Sequence, residues 1–313
     1  MKNRNFRKMD GVAGLFILLA FALIGCAPRQ PLLPTAALVP SETSAPSLAD
    51  TATVAPSPLP GNTPTPTPAA LAVEITDVKG IVMRLVPAGP FTMGSTDGMP
   101  DEKPPHTVDL AAFYMDQYEV TNAHYKTCVD AKACPLPSKV SGPILSGTYG
   151  SPEYDNSPVI WVDWDHAKTY CAWRGARLPT EAEWEKAARG TDGRMYPWGN
   201  TIDPTIANYG GNVKDPYDGE LGKTTPVDLY PSGQSPYGIY DMAGNVWEWV
   251  ADWYDVYPGG DASANDAFGQ KTYRVLRGGG WNDDPSSLRT TFRGGNTPET
   301  AVNYIGFRCA STP

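Results

Sequence analysis

Histidine is scarce: the chain has three in 313 residues, and His106, His124 and His166 fall in separate segments without the close spacing of a metal cluster. Iron held by a histidine trio is therefore not expected. No Gly-x-Ser-x-Gly elbow is present, and no cysteine sits beside a histidine in an activating context, so the signatures of nucleophilic catalysis are missing. No apolar run is long enough for a membrane-spanning helix, the chain carries 25 basic against 34 acidic side chains, and no Lys/Arg cluster interrupts the acidic balance within residues 74–313. A surface of that sign repels phosphate backbones, which excludes nucleic acid as a partner class. Tryptophan is absent from the first 160 residues, and no aromatic residue occurs from Ala27 to Ala70.

What the N-terminus does contain is a basic start, Lys2, Arg4, Arg7 and Lys8, followed by an uncharged apolar run from Val12 to Leu23 that ends in Leu23-Ile24-Gly25-Cys26. This is the pattern of a bacterial lipoprotein signal peptide over residues 1–25, with Cys26 as the lipidated residue and lipid as the membrane partner. An extracytoplasmic location follows, at the cell surface or the periplasmic face. Removing residues 1–25 leaves 21 basic and 33 acidic side chains, a net charge near −12. Ala27 to Ala70 then holds eleven prolines and seven threonines with almost no charge. Such a segment buries too little apolar surface to offset its ordering entropy; Ala27 to Ala70 would reach roughly 140 Å at about 3.1 Å per residue, and residues 26–73 read as a disordered tether.

Residues 74–313 read as one folded domain, large enough for a sizeable core and undivided by a second linker. Four cysteines remain after the anchor, in an oxidising compartment, so two disulfides are expected in one of three connectivities. The favoured pairing is Cys128–Cys134, closing a short local loop, with Cys171–Cys309 tying the end of the chain to its middle. Thr180-Glu181-Ala182-Glu183 is a capping box opening a helix that Arg189-Gly190 closes. A second helix is predicted from Asp165 to Arg174 and a third after Thr121, carrying His124 and Cys128. Short strands, such as Ile81 to Val86 and Tyr273 to Leu276, sit among Gly-, Pro-, Asn- and Asp-rich loops. The expected class is α+β with little regular secondary structure.

The motifs of the domain arrive in a particular order: Tyr118-Glu119-Val120-Thr121-Asn122, then Arg177-Leu178-Pro179-Thr180-Glu181-Ala182-Glu183-Trp184, then Tyr196-Pro197-Trp198-Gly199-Asn200. Asp241-Met242-Ala243-Gly244-Asn245-Val246-Trp247-Glu248-Trp249 follows, with Arg277-Gly278-Gly279-Gly280-Trp281 and Gly306-Phe307-Arg308-Cys309 behind it. Together they resemble the formylglycine-generating enzyme, or sulfatase-modifying factor, family over nearly all of residues 80–311. The resemblance implies a duplicated C-type-lectin-like fold with structural calcium, and it also supports the Cys171–Cys309 pairing.

Active members of that family resemble copper oxidases in which two cysteines after an Arg-Gly-Gly-Ser segment bind the metal as soft thiolates. In this chain the serine position is Gly280, the first cysteine position Asp283 and the second Leu288. The resemblance therefore implies a domain without formylglycine-generating activity, holding neither copper nor iron and acting as a binding or interaction module. The alternative is an oxidoreductase of the family with altered metal-dependent chemistry; a hydrolase using Asp283 and Asp284 is a third reading. Calcium ligands carried over from the family are Asp241, Gly244, Val246 and Glu248, with a looser match at Asn208, Tyr209, Asp218 and Glu220. The former copper cleft is expected to be lined by Trp281, Asn282, Asp283, Arg289 and Arg293, a set suited to a glycan or peptide ligand.

Overall fold

The computed structural model describes residues 70–140, 149–211 and 223–313. The signal segment, Cys26, the linker up to residue 69 and the predicted ligands Asp218 and Glu220 lie outside the described residues. All described residues belong to one unit, Pro66–Pro313.

The regular elements are few and short, as the loop-rich sequence demands. One four-stranded antiparallel sheet has the order β1 (Glu74–Thr76), β2 (Val82–Val86), β5 (Phe113–Asp116), β10 (Ala310–Ser311). β3 (Gly89–Met93) and β4 (His106–Leu110) form an antiparallel pair. A second four-stranded sheet runs β8 (Gly294–Asn296), β7 (Arg274–Arg277), β6 (Trp247–Trp253), β9 (Ile305–Phe307), with β6 and β9 parallel. Among the described residues the α-helices are α1 (Asn122–Asp130), α2 (Trp164–Trp173) and α3 (Glu181–Arg189), each at its predicted place. Thr121, Asp163 and Thr180 cap them, each side chain accepting the N–H three residues on.

β6 joins two packed regions because successive strand residues face opposite ways. Trp247 and Trp249 enter a cluster with Tyr125, Tyr170, Ile305 and Phe307. Val250 enters another with Phe113, Met115, Trp184 and Val275. Both expected disulfides form: Cys128–Cys134 at a Cα separation of 5.3 Å and Cys171–Cys309 at 5.6 Å. The second anchors the C-terminal β10 edge to α2.

α3 is unusual in burying charge on nearly every face. Glu181, Glu185, Lys186 and Arg189 are all buried. Each has a partner: Glu181 binds Arg293, Glu185 binds Arg277 and Arg189, and Lys186 donates to the carbonyls of Pro87 and Gly89. Arg277, fully buried, also donates to the carbonyls of Thr290, Thr291 and Phe292, so one guanidinium ties α3, β7 and the chain behind it. Removing one member of such a pair leaves an uncompensated buried charge, which costs about 3–5 kcal/mol. Arg277→Met is therefore expected to lower the unfolding free energy by about that amount in urea titrations. Lys126→Met, which breaks an exposed pair with Asp130, should change it by less than about 1 kcal/mol. Equal effects from the two substitutions would contradict this assignment.

Candidate functional site

The turn that leaves β7 carries Gly280 and Asp283, positions singled out by the family resemblance, with Leu288 on the segment that follows. Gly278 and Gly279 adopt left-handed φ values of 98° and 72°. A Cβ on Gly279 would come within 3.0 Å of both Leu288 Cδ1 and the Ser287 carbonyl, so the turn closes tightly on the segment that follows. Asp283 Oδ2 accepts the indole N–H of Trp247 at 2.7 Å and the Gly280 N–H at 2.9 Å. The Asp283 carbonyl accepts from Gly210 and the Trp281 carbonyl from Gly211, each at 2.8 Å, which fixes the turn against the 208–211 loop. Leu288 is fully buried among Tyr196, Ala207 and Ala243. One thiolate position thus carries a turn-pinning carboxylate, and the other a core hydrocarbon.

Asp284 caps its own turn by accepting from the Ser286 N–H and hydroxyl, and those bonds hold its carboxyl below the usual range. Asp283 and Asp284 are engaged separately in turn formation and do not form a shared acid–base site. The three histidines lie on β4, α1 and α2, and among the described residues no three His, Cys, Asp or Glu side chains converge as a metal cage.

Of the five residues expected in one cleft, Arg289 and Arg293 line two different cavities. Arg289 makes a bidentate pair with the buried Glu102, at 2.8 and 2.6 Å, and lines a cavity of about 510 Å³ with Ser95, Arg189 and Met195. Arg293 is buried against Glu181, at 2.7 and 2.8 Å, and lines a different cavity of about 270 Å³. Trp281, whose indole donates to Asn303, and the exposed Asn282 stay at the turn. The two arginines part because each answers a different buried carboxylate.

Around Asp241 the geometry is that of a crowded acidic loop. Asp241 and Asn245 hold left-handed φ values of 54° and 63°, and a Cβ on Gly244 would lie 2.4 Å from the Asn208 carbonyl oxygen. Asp241 Oδ2 is buried and has no hydrogen-bond partner among the described residues. Burial, with Glu248 and Asp228 nearby, pushes the Asp241 carboxyl up to about 8, despite Arg308. Glu119 is pushed well above its ordinary range by burial and by Asp241 and Glu248. Glu248, expected as a calcium ligand, already accepts two bonds from Arg308 at 2.7 Å and one from the Trp184 indole at 2.9 Å. Three buried carboxylates therefore face one guanidinium. Glu119 escaped the sequence reading, although its place just before the Thr121 cap was available as a signal: its carboxylate accepts from Val246 N–H and the Asn245 amide. At the second expected site the Asn208 amide donates to the Lys223 carbonyl and Asn245 Oδ1, and Tyr209 packs near Leu288.

These features have counterparts in known proteins. Residues 72–313 match the model of the sulfatase-modifying factor enzyme 1-like domain. The Bos taurus protein named inactive C-alpha-formylglycine-generating enzyme 2 is 34% identical, over 76% of this chain and 91% of its own. The Streptomyces coelicolor formylglycine-generating enzyme is also 34% identical, over 72% and 88%. The solved structure of PvdO from Pseudomonas aeruginosa superposes with a TM-score of 0.61 at 31% identity, covering 77% of this chain and 98% of PvdO. Motifs, mixed α+β architecture and these matches agree: the chain belongs to the sulfatase-modifying factor family and has its C-type-lectin-like fold.

Proposed function

We propose that this chain is a lipid-anchored, extracytoplasmic binding module that lacks formylglycine-generating activity. The observation that carries the reading is the pair Asp283 and Leu288. Copper(I) requires soft thiolate donors, whereas a carboxylate is hard and a leucine offers no donor atom. Both side chains are also committed elsewhere, one to Trp247 and Gly280 and one to the core. Relatives at similar identity carry active and inactive names, so the residues decide where overall similarity cannot. The signal pattern ending at Cys26 supports the anchor, and the acidic mature chain supports a glycan or peptide ligand over a nucleic acid.

A structural calcium ion belongs to the same reading. The orphaned Asp241 oxygen and the excess of buried carboxylate over guanidinium fit a hard divalent cation, which prefers oxygen donors. Asp241 would hold it with the Gly244 and Val246 carbonyls, while Glu119 and Glu248 supply charge nearby. Calcium there would neutralise the loop and secure its left-handed residues.

Three outcomes follow. The purified domain, incubated with copper, oxygen and a peptide carrying a sulfatase-type cysteine, is expected to yield no aldehyde by mass spectrometry; aldehyde formation, or stoichiometric copper or iron in the mildly purified protein, favours an oxidoreductase instead. Calcium at about 100 times its Kd should stabilise the domain by about 2.7 kcal/mol over the chelated form. Asp241→Asn should abolish that response and, in chelator, melt above the wild type because a buried carboxylate is gone; a calcium response unchanged in Asp241→Asn removes the site. Cys26→Ser, expressed in a bacterial host, should shift the protein from the membrane to the soluble fraction, and retention in the membrane would oppose lipidation at this residue.

A further inference from the structure

At the far end of β6 the strand slips its register with β7. Trp249 pairs with Leu276 and Trp253 with Arg274, so β6 uses four residues where β7 uses two. Bulges of this kind re-aim side chains at a sheet's rim. Here Trp253 comes to line the cavity of about 270 Å³, together with His106, Asp252, Asp255 and Tyr257. Of the residues expected in a ligand cleft, only Arg293 reaches it.

The groups on its wall decide what fits. Arg293 is fully committed, to Glu181 through Nε and Nη2 and to the Asp101 and Asp255 carbonyls through Nη1. Acceptors remain. Asp252 Oδ2 takes the Glu181 N–H, leaving Oδ1 without a partner among the described residues. Asp255 Oδ1 takes the Val256 and Gly269 N–H groups, leaving Oδ2 likewise. His106 Nδ1 lies 3.1 Å from the Pro104 carbonyl, an acceptor that calls for the proton on that nitrogen, so Nε2 is the ring atom left for a ligand.

Charge excludes one ligand class, since the two carboxylates repel an anion. The Arg274 guanidinium lies 3.6 Å from the Trp253 ring centroid and that of Arg293 lies 4.0 Å from Tyr257, so both rings already carry a cation on one side. Arg274 is also 3.8 Å from the Trp164 ring, so the Trp253 indole is held in a fixed stack. The free acceptors beside the indole match a ligand with hydroxyl donors and one apolar face, and the volume suits a small one. We propose that this cavity is a carbohydrate subsite for a single sugar residue, its ring against Trp253 and its hydroxyls donating to Asp252 and Asp255. The proposal rests on the reading of the domain as a binding module.

Saturation-transfer NMR on the mature chain with the methyl glycosides of glucose, galactose, mannose and N-acetylglucosamine tests it. At least one glycoside should bind saturably, and Trp253→Ala should weaken it by about tenfold. Asp255→Asn, which keeps the side chain's shape and its Oδ1 bonds, should weaken it too and guards against a folding effect. Asn282→Ala, at the turn after β7, should leave it unchanged. Absence of binding for all four glycosides, or equal binding by wild type, Trp253→Ala and Asp255→Asn, overturns the subsite. Binding lost in Asn282→Ala and kept in Trp253→Ala overturns the subsite while leaving the binding-module reading intact.

Discussion

The structure depends on guanidinium groups buried against carboxylates. Arg277 with Glu185, Arg293 with Glu181, Arg308 with Glu248 and Arg174 with Asp116 each place a charge pair where solvent does not reach. In a domain of short strands and long loops, hydrogen-bond ladders hold little of the chain. A guanidinium offers five donors in a rigid fork, so one side chain can fix several loops at once. Arg308 illustrates the point: it binds both oxygens of Glu248 and also donates to the carbonyls of Asp116 and Tyr240. Pairs of this kind are weak arguments for net stability and strong ones for a single arrangement, since any slip strands a charge.

The same logic explains the turn after β7. With Asp283 the holding group becomes the carboxylate itself, which gathers the Trp247 and Gly280 N–H groups, and Leu288 fills the space beneath Gly279. The loop around Asp241 shows the converse situation. Its carboxylates outnumber the available guanidinium, and Asp241 is left with a buried oxygen that has no partner among the described residues.

Much of this was legible in the sequence. The capping box at Thr180, the start after Thr121 and the periodicity from Asp165 to Arg174 placed three helices, because those signals act within a few residues of chain; the Asp163 cap emerged only in the structure. The Cys128–Cys134 loop was favoured by its short spacing, while the Cys171–Cys309 pair, favoured among three connectivities, and the lectin-like fold drew on the family resemblance. The placement of Arg289 and Arg293 was not legible. Arg289 and Arg293 are four residues apart, but the carboxylates they answer, Glu102 and Glu181, are distant in sequence and lie on different elements, so no local pattern shows that the two arginines part. Glu119 and the bulge that brings Trp253 to the cavity wall depend equally on tertiary pairing.

The central claim is that both former ligand positions now serve the fold. Chemical denaturation of Asp283→Cys/Leu288→Cys against the wild type tests it most directly. Loss of the bond acceptor for the Trp247 indole and of a buried leucine predicts a destabilisation of at least about 3 kcal/mol. A double variant as stable as the wild type would show that neither side chain holds the structure together, and would contradict the account.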